Sequence, residues 1–151
     1  MNNKKITLRE LDYLKIIGVL LVVIGHCTSI YTGGWVFTSP VNSPTYGLIA
    51  SYVYTFHVPM LVFVSGAIYY YCRINKEKYS SIKSLIINKF KRLILPFLFV
   101  GILYSIPIKY TIGMAYGNIF SNMKSFILGL NTGHLWYLLM LFNIFILFYL
   151  Y

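Results

Sequence analysis

Residues 11–31 read LDYLKIIGVLLVVIGHCTSIY, and this stretch decides the fold. An apolar run of about 20 residues is long enough to cross a bilayer as a helix. It also holds two ionisable groups, Lys15 and His26. Such groups at membrane depth are costly and usually face a bundle interior or a watery cavity, so they point to function. At about 100° and 1.5 Å per residue, the two lie roughly 20° apart around the helix axis and about 16 Å apart along it. One face of one helix would therefore carry a cation near one end and an imidazole near the other. Plainer readings compete. Lys15 is close enough to the boundary to snorkel, and a single buried histidine is often hydrogen-bonded structure.

Composition places the whole chain in a membrane. Its 151 residues are 58% hydrophobic and only 11% charged, with a mean hydropathy of +0.71. A soluble domain carries about 25% charged residues. The net charge of +10 comes from basic residues clustered beside apolar runs, which fits the positive-inside pattern better than nucleic-acid binding. The bilayer is the first partner expected, and phosphate-bearing ligands or anionic headgroups suit the same charge. Cys27 and Cys72 have no paired spacing, so neither a disulfide framework nor a metal site is expected. No small-x-small cleavage site follows the first run, so it reads as retained rather than as a signal peptide.

The expected fold is all-α: a polytopic membrane helix bundle of about four spans plus a cytoplasmic basic amphipathic helix, all within one domain over 1–151. Thr7 and Glu10 have capping-box spacing ahead of the first span, about 11–31. A turn-rich, uncharged loop over 32–45 leads to a second span, about 46–72, with His57, Pro59, Ser65 and Gly66. Pro59 is expected to kink it. Residues 73–92 carry seven cations against Glu77, and Ile82, Leu85, Ile86, Phe90 and Leu93 recur at helical spacing. That pattern predicts a basic helix in the membrane interface, leading into a third span over about 93–112. In the loop that follows, the apolar patch 126–130 is expected to rest on the membrane, and a fourth span starts near 134. Counting cations in short loops puts the N-terminus and the 73–92 segment in the cytoplasm. His26 and His57 then fall in the outer half of the bilayer, with His134 near the outer surface.

Four segments, in order, carry a resemblance: LDYLKIIGVLLVVIGH (11–26), FHVPMLVFVSG (56–66), KFKRLILPF (89–97) and HLWYLLML (134–141). Together they resemble the membrane-bound acyltransferase family 3 over nearly the whole chain. Two positions depart from its pattern. Lys15 stands where the first motif usually has Arg, and Lys89 replaces the first Arg of a four-residue unit whose second, Arg92, is kept. Lysine keeps the charge but loses the bidentate fork that suits phosphate.

The resemblance implies transfer of an acyl group, typically acetyl, from cytoplasmic acyl-CoA (acetyl-CoA) to a hydroxyl of an extracytoplasmic carbohydrate at a bacterial plasma membrane, with no metal. On that reading His26 is the general base or a transient acyl carrier, and His57 orients it or steadies the oxyanion. Lys15, Lys89 and Arg92 would meet the CoA phosphates, and His134 and Trp136 the acceptor. The family usually has about ten spans, so a chain of four is expected to be a fragment, or to need a complementary C-terminal half or a second copy, and to be inactive alone. A non-catalytic membrane subunit, or inert remnant, is the competing reading. A small proton-coupled transporter is a third, disfavoured because no acid lies within the spans beyond Asp12 at their edge.

Overall fold

The computed structural model describes residues 8–32, 39–115 and 117–150. Their regular structure is helical, with no strand among them. Four helices are long and apolar enough to cross a membrane: Arg9–Ser29, Pro44–Asn75, Ile82–Thr111 and Gly133–Leu150. The chain forms two compact units, 1–76 and 77–151.

The first unit is a helical hairpin. Helix α1 (Leu8–Ser29) begins where the sequence predicts, although Thr7 of the expected capping box lies outside the described residues. Along α1, Leu11, Gly18 and Gly25 recur every seven residues and are all buried. Residues seven apart lie close to one helix face, so this repeat forms the seam with the next helix, and its small members let backbones approach closely. Helix α2 (Pro44–Asn75) starts with proline in its first turn, where the missing N–H costs nothing. It answers the seam with Ala50, Val53, His57 and Val64, all buried. A Cβ at Gly18 would meet Leu61 at 2.5 Å, and one at Gly25 would meet Val53 at 3.2 Å and Tyr54 at 3.4 Å. The outward faces are apolar as well, as at Leu20 and Phe63, which suits lipid rather than water. Helix α2 continues unbroken through Pro59. Of the connecting loop, residues 33–38 lie outside the described set.

In the second unit the expected basic interfacial helix and third span form one continuous helix, α3 (Ile82–Thr111). Ser81 caps it by accepting from the Ser84 N–H at 3.3 Å. Two π-helical turns interrupt it, over Phe90–Ile94 and Gly101–Ser105. Each ends on an N–H bonded five residues back, Leu95 to Phe90 and Ile106 to Gly101. Pro96 and Pro107 follow immediately. A proline inside a helix has no N–H to donate and collides with the carbonyl four residues back. Widening the preceding turn relieves that collision, a common adjustment in spanning helices.

The second π turn also receives a side chain. Helix α4 (Ile119–Ile127), capped by the Asn118 side chain on the Phe120 N–H, lays Phe126 directly over Gly101. The Phe126 ring stacks on Phe97 with centroids 4.5 Å apart, and Ile106 completes this core. The patch 126–130 is therefore split. Phe126 is buried, while Ile127, Leu128 and Leu130 remain exposed. The reason is the glycine notch on α3, which nothing local to 126–130 announces. A 3₁₀ turn over Gly133–Leu135 then opens helix α5 (Trp136–Leu150), which packs against the first half of α3.

Candidate functional site

Helix α1 brings His26 to the α1–α2 seam because Gly25, its neighbour, leaves room for Val53 and Tyr54 of α2. His26 Nδ1 lies 2.8 Å from Tyr54 Oη. The Tyr54 ring in turn meets the His57 ring edge to face, with centroids 5.0 Å apart. His26, Tyr54 and His57 thus form one cluster of polar side chains across the seam of the hairpin.

The two imidazoles are held differently. His57 is 3% exposed, and its Nδ1 lies 2.7 Å from the Val53 carbonyl oxygen. A carbonyl only accepts, so Nδ1 carries the proton and donates it. In the neutral ring Nε2 then bears the lone pair. Such a ring accepts a proton at Nε2, and it would steady an oxyanion only as the imidazolium. His26 is half-buried, and its partner is a hydroxyl that either donates or accepts. When Nδ1–H donates to Tyr54 Oη, His26 Nε2 is the basic nitrogen.

Tyr54 did not stand out in the sequence among 15 tyrosines. The available signal was its position three residues before His57, which places both on neighbouring turns of one helix face.

The cationic candidates are scattered over both units. Lys15 is exposed and pairs with Asp12 at 3.3 Å, one turn earlier on α1. A pair this open to solvent adds at most about 1 kcal/mol. Lys89 is half-buried, with its ammonium 3.3 Å above the centre of the Phe145 ring and 5.4 Å from that of Tyr79. A cation over an aromatic face is attracted by the ring's quadrupole, so Lys89 helps join α3 to α5. Arg92, one turn on, is exposed.

His134 and Trp136 flank Leu135, which packs against the Phe97–Ile106–Phe126 core. Anchoring the middle residue of so short a turn leaves both neighbours at the surface, and both are exposed. Among the described residues no group of three or more His, Cys, Asp and Glu side chains could hold a metal ion.

Comparison with curated proteins and with solved structures finds no match in either set. A family model described as an acyltransferase domain, that of acyltransferase family 3, does match, and it does so over residues 8–151. The match takes in the hairpin with its His26–Tyr54–His57 cluster, both π turns of α3 and the His134 turn. This multi-pass, membrane-type helical chain belongs to acyltransferase family 3.

Proposed function

We propose that the His26–Tyr54–His57 cluster serves transfer of an acyl group, acetyl in the simplest case, from a CoA thioester to a hydroxyl of a carbohydrate outside the cytoplasm. The observation that carries this reading is the bond between His26 Nδ1 and Tyr54 Oη at 2.8 Å, inside a chain of an acyltransferase family. A sugar hydroxyl is a poor nucleophile until a base removes its proton, an effect of about 10²–10⁴-fold. His26 Nε2 takes that proton while Tyr54 holds the other side of the ring. The alkoxide oxygen bonds to the thioester carbonyl carbon, the tetrahedral intermediate collapses, and the C–S bond breaks. The CoA thiolate leaves and takes the proton from the imidazolium. A transient acyl group on His26 would achieve the same transfer in two displacements.

On the same reading the N-terminus is cytoplasmic, as the basic clusters at residues 4–9 and 73–92 favour. Arg92, exposed on α3, then meets CoA phosphates, and Lys15 and Lys89 add positive charge on the cytoplasmic side. His134 and Trp136 take the acceptor side. A complementary C-terminal half, or a second copy, completes the site.

The test uses membranes that hold this chain together with the C-terminal half of a related ten-span enzyme, supplied with radiolabelled acetyl-CoA. Label should reach a membrane-exposed carbohydrate, and His26→Ala should abolish it at unchanged protein level. Transfer that survives His26→Ala would remove His26 from the chemistry and favour a non-catalytic subunit.

A further inference from the structure

The end of α3 holds a group that the acyl-transfer cluster does not use. Lys109 lies in its last turn and is half-buried, between Ile108 and Tyr110. Its ammonium reaches sideways to the Gly133–Leu135 turn, where a Cβ added at Gly133 would lie 3.9 Å from Nζ. Gly133 has φ +54°, in the left-handed region, so the turn comes close here without a side chain in the way. A lysine at a helix C-terminus complements the helix dipole wherever it points. What the dipole does not account for is the choice of neighbour: Lys109 lies beside the turn that exposes His134 and Trp136.

The surroundings are built rather than loose. Tyr110 Oη donates to the Gly117 carbonyl at 3.0 Å and accepts from the Asn122 side-chain amide, tying the loop after α3 to α4. Tyr110 and Leu135 pack on the same Phe97–Ile106–Phe126 core. The platform therefore holds Lys109 and the His134–Trp136 turn together from both sides.

Charge then restricts what the platform can bind. The acids of the whole chain are Glu10, Asp12 and Glu77, so no carboxylate follows residue 77 in the sequence. A positive group beside an imidazole, with an exposed indole two residues on, presents a cation and a flat apolar face together. A saccharide ring bearing a carboxylate or phosphate matches both, the charge on Lys109 and the ring's apolar face against Trp136.

We propose that Lys109, His134 and Trp136 form a binding subsite for an acidic saccharide, one carrying a carboxylate or phosphate. The proposal deepens the acyltransferase reading and rests on it for the meaning of the site, by giving the acceptor a charge.

The test reads binding without turnover. The chain, carrying Trp35→Phe so that Trp136 is the remaining indole, is placed in phosphatidylcholine nanodiscs. Its fluorescence is titrated with trigalacturonate and with the neutral galactose trisaccharide. Trigalacturonate should bind about fivefold more tightly, as a half-exposed ion pair allows, and added salt should narrow the gap. Lys109→Gln should erase the preference, Lys109→Arg should keep it, and Lys124→Gln should leave it unchanged. Should Lys109→Gln fail to fold, the charged-against-neutral comparison and its salt dependence in the unsubstituted chain decide alone. Equal binding of the two trisaccharides overturns the proposal. So does a fluorescence response to phosphatidylglycerol in the disc that removes the saccharide preference, since the site would then be one for a lipid headgroup. Acyl transfer enters neither arm. A failed titration therefore leaves the acyltransferase reading standing, and a failed transfer assay leaves the titration standing.

Discussion

Replacing Gly101 by alanine should damage the second unit far more than its size suggests. A Cβ there would meet three atoms of the Phe126 ring. That ring has nowhere to go, being 2% exposed and stacked on Phe97, itself 1% exposed. Alanine gains about 0.5–1 kcal/mol over glycine in a helix from reduced chain entropy. Overpacking a filled core costs about 1–3 kcal/mol, and a rigid, doubly sandwiched ring places this site near the top of that range. The net expectation is a loss of about 2–2.5 kcal/mol.

Gly18→Ala on α1 is the matched control. There the nearest atom is the tip of Leu61 at 2.5 Å, a flexible end that turns aside, so the gain and the cost should cancel to within about 0.5 kcal/mol. Both variants can be read by titrating helicity with a denaturing detergent. Trp136 emission in a Trp35→Phe background should also shift in Gly101→Ala alone, because Leu135 packs on the core that Phe126 would leave. Equal stability of the two variants would refute the notch as the anchor of α4. An intact Trp136 signal in a destabilised Gly101→Ala would refute the link from that core to the His134 turn.

Tyr54→Phe should lower acyl transfer about tenfold in the complemented membranes, since a bond of this kind contributes about 1.4 kcal/mol at most in net terms. Measured nitrogen chemical shifts of His26 should move with it while those of His57 stay put. Lys89→Gln should destabilise the second unit by about 1 kcal/mol with little salt dependence, through loss of its place over Phe145. Arg92→Gln should instead weaken acyl-CoA binding in a salt-dependent way and leave stability unchanged; the opposite pattern would exchange their roles. Reporters fused at Asn42 and at Lys78 should appear outside and inside the cytoplasm respectively, and the reverse would overturn the orientation on which donor and acceptor sides rest.

The spans were legible because apolar length is a local property: each run of about 20 residues states its own case. The two histidines were legible for the same reason, as polar groups out of place on apolar helices. Their partner was not. Tyr54 belongs to a tyrosine-rich stretch, and only the approach of α1 at Gly25 selects it as the hydroxyl facing His26. Lys89 read as one cation of a basic helix face, because Phe145, the ring beneath it, lies on α5, far away in sequence. Phe126 was misread for a related reason. Its burial depends on a glycine on another helix, and periodicity within 126–130 carries no trace of it.

The two π turns of α3 have a consequence for how its sequence tolerates change. A turn with bonds five residues back stores one residue more than an α turn needs. Removing one residue from 101–105, together with Pro107→Ala, would let that turn close into ordinary α-helix. Residues 106–111 would keep their faces, with Ile106 still against the core and Lys109 still beside Gly133. Removing one residue from Leu95–Val100 has no such slack to draw on. Everything beyond it would swing by about 100° around the axis, carrying Ile106 out of the core and Lys109 away from its turn. The helix is thus three rigid rods joined at two places where length is negotiable, and the two prolines mark those places.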